Sequence, residues 1–119
     1  MAEKLEVRWT DFQSNAAQTF RRLRKEEDFF DVTLVGSDRR QFPAHRLVLS
    51  SSSIYFKSLL KGNNEGKMLL CLENVESNEI EQILDYIYEG QVNVLEAELQ
   101  RFLSIAKRFE LEGLNYHSE

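Results

Sequence analysis

The 119-residue chain has a single cysteine, a single proline, two histidines and five glycines. Each scarcity excludes something. One thiol cannot close a disulfide within the chain, and Cys71, set in Leu-Leu-Cys-Leu-Glu, reads as a small buried hydrophobe rather than a reactive group. Cys71, His45 and His117 lie too far apart and are too few to make a structural zinc site. No apolar run approaches the roughly 18 residues of a membrane span, and no secretory leader pattern opens the chain. A reducing intracellular compartment, no membrane, no metal and no cofactor are the expectations. Positive charge is also short: the formal net charge is −5, the wrong sign for a domain that grips phosphates.

What is present suits one globular domain, with 42% hydrophobic and 29% charged residues. A chain of this size buries about 65% of its unfolded surface. Leu5-Glu6-Val7-Arg8-Trp9 alternates strictly and predicts a short half-buried strand with no mate nearby. Thr10 to Lys25 predicts a helix, with Thr10 and Gln13 as a capping box and a narrow apolar stripe of Phe12, Ala16, Phe20 and Leu23. Arg21, Arg22, Arg24 and Lys25 crowd its last turn, where cations suit the helix dipole. Glu26, Glu27 and Asp28 follow at once, so the basic run reads as a solvated helix end, not a nucleic-acid patch.

Residues 31–36 and 39–43 predict a β-hairpin across Gly36-Ser37-Asp38, with Pro43 ending the second strand. Short helices follow at 44–50 and 53–61. Residues 67–73 predict a third strand, apolar on both faces and therefore central. A helix over 78–89 has Asn78 as its cap and Ile80, Ile83, Leu84 and Ile87 on one face, with Gly90 as its stop. Residues 91–94 suggest another short strand. The last helix covers 95–107, with Leu95, Leu99, Phe102, Leu103 and Ala106 together, and a turn to Gly113 closes the fold. The class is α+β: a small three-stranded sheet flanked by a cluster of helices.

The serine run Ser50 to Ser53 lies beside His45, which raises the question of a nucleophile. No glycine stands between Gly36 and Gly62, so a Gly-x-Ser-x-Gly elbow has no residue to form it. Leu47, Val48 and Leu49 before the run, and Ile54, Tyr55 and Phe56 after it, exclude a linker. Ser52 or Ser53 reads as the cap of the next helix, and His45 as a satisfied core residue. No enzyme constellation is found.

Asp31-Val32-Thr33-Leu34, then Phe42-x-Ala44-His45-Arg46-x-Val48-Leu49-Ser50-x-x-Ser53-x-Tyr55-Phe56, resemble the signature of the BTB/POZ domain. Leu84-Asp85-Tyr86-Ile87-Tyr88-Glu89-Gly90 is similar to a later segment of that family. Val7-Arg8-Trp9-Thr10-Asp11-Phe12-Gln13-Ser14 resembles the opening of the tramtrack-type subgroup of insect transcription factors. The resemblance implies a domain over residues 1–114: an N-terminal strand at 5–9, a dimerisation helix at 10–25, a core at 31–114, and a linker starting at 115–119. It implies a homodimer, or a hexamer that contains it, in which Leu5, Val7, Trp9, Phe12, Ala16, Phe20 and Leu23 form the dimer interface. Asp31 and Arg46 match the family's charged pocket. The implied role is oligomerisation of a nuclear transcription or chromatin-architecture regulator, with zinc fingers beyond residue 119. Other BTB domains and corepressor or chromatin proteins are the further partners, and direct nucleic-acid binding is not expected of this domain. The alternative is a substrate adaptor for a cullin-based ubiquitin ligase, whose contact loop would fall at Asn63-Asn64-Glu65.

Overall fold

The hairpin of β1 (Val32–Val35) and β2 (Gln41–Ala44) closes where Gly36 leaves no room for a side chain. A Cβ there would meet the Asp38 carboxylate at 2.9 Å and the Val75 carbonyl at 3.0 Å. The Gly36 N–H donates to the Arg40 carbonyl at 3.1 Å, and the antiparallel register pairs Thr33 with Pro43 and Leu34 with Phe42. Pro43 therefore lies inside β2, one residue before its end, in a position that needs no N–H toward β1. That is tolerable because β2 is an edge strand. The computed structural model describes residues 2–62 and 66–114; the proposed adaptor loop at 63–65, His117 and the linker at 115–119 lie outside them.

The third strand, β3 (Met68–Cys71), runs parallel to β1, and the sheet order is β2-β1-β3. This corrects the expectation of a central β3: β1 is central and β3 is an edge. Leu69 is 60% exposed and Cys71 is exposed as well, not buried. The apolar run misleads because one face of the sheet is covered and the other is open. Val32 and Leu34 on the covered face are buried with Met68 and Leu70 beside them; Leu69 and Cys71 share the open face with Thr33 and Val35.

Among the described residues there are five α-helices: α1 (Phe12–Glu26), α2 (Arg46–Ser52), α3 (Ile54–Leu60), α4 (Ser77–Glu89) and α5 (Leu99–Arg108). The core joins Val32, Leu34, Val48, Leu49 and Phe56 to Ile80, Ile83, Leu84, Phe102 and Phe109. Several ends differ from expectation. The side chains of Thr10 and Gln13 make no capping box; Asp11 precedes α1 and makes no side-chain cap. The cap of α4 is Glu76, not Asn78, with a reciprocal capping box to Glu79. Residues 91–94 form no strand, and a single turn of 3-10 helix at Glu96–Glu98 precedes α5. Gly90 does end α4, in the left-handed region at φ 79°.

Ser53 settles the serine run. It is 1% exposed, its hydroxyl accepts the Phe56 N–H at 3.0 Å, and it donates to the Phe109 carbonyl. A buried N-cap thus joins α3 to the end of α5, and a β-bridge between Ser53 and Leu111 reinforces the seam. Ser53→Ala leaves both backbone groups short of a partner, an expected cost of about 1–2 kcal/mol. Ser51→Ala, at an exposed position, is expected to fall within about 0.5 kcal/mol of the parent. Urea titration of both variants checks the contrast.

Candidate interaction surface

Residues 2–10 run along the outside, every one exposed, and no ladder forms there. Leu5 is 84% exposed and Val7 94%. The strand expected at Leu5–Trp9 is absent from the single chain for a plain reason: the alternation is present, but no edge of the same chain is engaged. The Trp9 and Phe12 rings meet edge to face, 5.2 Å between centroids, and carry the apolar line from the arm onto α1. The radius of gyration is 16.9 Å, against about 13.5 Å expected for a compact domain of this length. A projecting arm accounts for a difference of that sign.

The α1 stripe divides in two. Phe12 is 55% exposed, while Ala16, Phe20 and Leu23 are half-buried and Phe20 packs against the core. The C-terminal half of α1 is fastened to α4 by Arg24 on Asp85 at 2.9 Å and Arg21 near Glu89 at 3.7 Å. The Arg24 guanidinium also lies over the Tyr88 ring at 5.2 Å. Two members of the basic run are thus ion-paired within the fold. The arm and the first turns of α1 are left with apolar side chains facing outward.

Asp31 and Arg46 come together. The Asp31 carboxylate accepts the Arg46 backbone N–H at 2.7 Å and its Nε–H at 3.3 Å. The backbone bond places an anion at the first turn of α2, which suits the helix dipole. Their side chains are 41% and 19% exposed, so the pair is not a fully buried bridge.

His45, the residue before α2, is buried among three hydrogen bonds. Its backbone N–H donates to the Tyr88 hydroxyl at 2.9 Å, its Nδ1 lies 2.6 Å from the same oxygen, and its Nε2 lies 2.7 Å from the Asp28 carbonyl. The Asp28 carbonyl can only accept, so Nε2–H donates to it, and in that tautomer Nδ1 accepts from the Tyr88 hydroxyl. Asp28 and Phe30 both touch His45, the latter through rings 4.7 Å apart. Between them Phe29 is held outward, 81% exposed at φ 64°. Phe29 and the 77% exposed Leu47 are surface apolar residues that the sequence reading missed; the signal was an aromatic beside charged loop residues.

Burial pushes the Tyr88 phenol up to about 12, a rise that the His45 N–H and the Arg24 charge oppose and the Asp31 charge reinforces. A raised value means that the folded state keeps its proton where the unfolded state loses it. The contribution is therefore whole below pH about 10 and lost as pH climbs to about 12, on the order of 2 kcal/mol. Denaturant midpoints are expected to fall over that window, with a smaller fall in Tyr88→Phe. Elsewhere, burial pushes the Glu79 carboxyl up, but hydrogen bonds from Arg101 and the Glu76 N–H, with the guanidinium charge, outweigh it and hold the group low.

Among the described residues no group of three His, Cys, Asp or Glu side chains could hold a metal, and no helix is long and apolar enough to cross a membrane. The structure is thus a three-stranded sheet with a cluster of helices and an exposed apolar arm.

The family model of the BTB/POZ domain matches residues 20–119, and the chain belongs to that family. It is 44% identical over 91% of its length to protein abrupt of Drosophila melanogaster, of which it spans 12%. It is 40% identical to the longitudinals lacking protein-like of the same fly, covering 91% of this chain and 84% of that one. With protein tramtrack, alpha isoform, it shares 34% identity over 91% of its own length and 13% of the relative. The BTB domain of zebrafish PATZ1 has the same fold, at a TM-score of 0.77 and 24% identity over 91% of this chain and 88% of that one. The chain thus spans only a small part of abrupt and tramtrack.

Proposed function

We propose that the chain is a self-association module of a nuclear transcription or chromatin regulator, pairing with a second copy through its arm and α1. The observation that carries this reading is the arm itself: strand-patterned and apolar on one side, it is almost wholly exposed in the single chain. Hiding Leu5, Val7, Trp9 and Phe12 is worth up to about 1.5–3 kcal/mol each before the costs of association. A two-fold interface collects this twice, because both copies present the same patch. Ala16, Phe20 and Leu23 complete the face along α1. Family membership and the likeness to abrupt and tramtrack support a transcription regulator, and hence the nucleus, as the setting. Other BTB domains and corepressor or chromatin proteins are the heterologous partners in this reading. Asp31 and Arg46 form a charged pocket that positions α2 beside the interface. Direct nucleic-acid binding is not part of the function.

Two copies carrying different affinity tags test it. Co-purification of the second tag with the first is expected, with loss on deletion of residues 2–9. Equal recovery with and without the arm would contradict the proposal.

A further inference from the structure

After α5 the chain turns back across the junction of α2 and α3. Residues 110–112 run antiparallel to Ser52–Ile54. The Ile54 N–H donates to the Glu110 carbonyl at 3.3 Å and the Glu112 N–H to the Ser52 carbonyl at 3.0 Å, on either side of the Ser53–Leu111 bridge. Leu111 is buried here, while Glu110, Glu112, Gly113 and Leu114 are exposed. Left-handed residues bracket the segment: Glu110 at φ 50° and Gly113 at φ 71°. Glycine takes that conformation freely, but a side chain at Glu110 makes it strained, and letting go relieves the strain.

Tyr86 of α4 fastens the outer end. Its hydroxyl donates to the Glu112 carbonyl at 2.6 Å and lies 3.6 Å from where a Gly113 Cβ would stand. Phe102 steadies the Tyr86 ring edge-on, 6.4 Å between centroids. Burial pushes the Tyr86 phenol up, so the hydroxyl keeps its proton and stays a donor at neutral pH. A cavity of about 220 Å³ opens beside this bond, bounded by Ser51, Ser52, Ile87 and Gly90. The bond is therefore in reach of water, and a hydrogen bond that water can replace adds little net stability. Inward of Glu110 the fastening is different in kind. Phe109 is fully buried and its carbonyl holds the Ser53 hydroxyl.

We propose that residues 110–114 are a strap with two positions: docked, with Tyr86 as its clasp, and released, by opening at Glu110 while the rest of the fold stays intact. Docked, the strap holds the chain against the body beside α4. Released, it frees the path of the residues that follow and uncovers the Ser52–Ile54 backbone and the seat of Leu111. The Ser53 cap of α3 lies inward of the hinge and is kept in both positions. Tyr86 adjoins Asp85, which pairs with Arg24 of α1, so one turn of α4 fastens both the helix after the arm and the strap.

Amide exchange on the full chain tests the device. The Glu112 and Ile54 amides are expected to exchange on the order of a hundredfold faster than those of β1 and α4, because they open without the core. Tyr86→Phe keeps the ring and removes the clasp, and is expected to speed the Glu112 amide by a further factor of about three to ten. Gly113→Ala leaves Tyr86 in place and sets a Cβ at a left-handed φ; it is expected to act in the same direction, by about fivefold or more. A protease that cuts after glutamate gives a second readout, and cleavage after Glu112 is expected to quicken in both variants in step with exchange. Glu112 protection equal to that of β1 would mean that the strap opens only when the whole domain unfolds, and would overturn the proposal. A Glu112 amide that Tyr86→Phe leaves unchanged would overturn it too.

Discussion

Replacing Trp9 and Phe12 together by aspartate is expected to lower the assembled mass by a factor of two or more while the domain stays folded. Both side chains are more than half exposed in the single chain, at 58% and 55%, so their loss removes little from the fold's own core. In an assembly they would bring two uncompensated carboxylates per copy into an apolar contact, each costing several kcal/mol. The pair is a cleaner probe than Phe20→Asp. Phe20 also packs against the core, so an effect there mixes assembly with folding. Sedimentation velocity with circular dichroism separates the two: a lighter species with the parent spectrum is expected. An unchanged sedimentation profile would remove the arm and the start of α1 from the interface.

Phe109→Ala is expected to be the most damaging single truncation, at about 3–5 kcal/mol. Phe109 is fully buried at the end of α5, its ring 5.3 Å from both Tyr55 and Phe56. Its carbonyl also receives the Ser53 hydroxyl, so the backbone that holds the α3 cap depends on the ring's packing. A loss of this size is a large part of the whole stability of such a domain. Urea unfolding gives the number; a midpoint change worth less than about 1 kcal/mol would mean that the α3–α5 seam does not carry the core.

Much of this was legible in the chain. Local chemistry did best: Ser53 as a helix cap, Gly90 as a stop, and the apolar face of Ile80, Ile83 and Leu84 are all decided within one or two turns. The sheet's strands were visible and their order was not. Met68–Cys71 is apolar on both sides whether it lies between strands or at an edge, and only the tertiary fold shows that no helix covers Leu69. The α4 cap slipped by two residues because the Ser77 hydroxyl is taken by Asp38, from a hairpin 39 residues earlier, leaving Glu76 and Glu79 to cap each other. His45 read as a satisfied core residue, but its partners, Tyr88 and Asp28, lie 43 and 17 residues away. The arm is the opposite case. Its alternation was plain, and the single chain supplies no ladder to pair it.

Amide hydrogen exchange at Leu5 to Trp9, followed across a dilution series, tests self-association through the arm most directly. Among the described residues no hydrogen bond secures this segment as a strand, so concentration-dependent protection there has to come from another copy. Slow exchange at high concentration that becomes fast on dilution is the predicted result. Fast exchange at every concentration, with the core of β1 and α4 protected throughout, would contradict it.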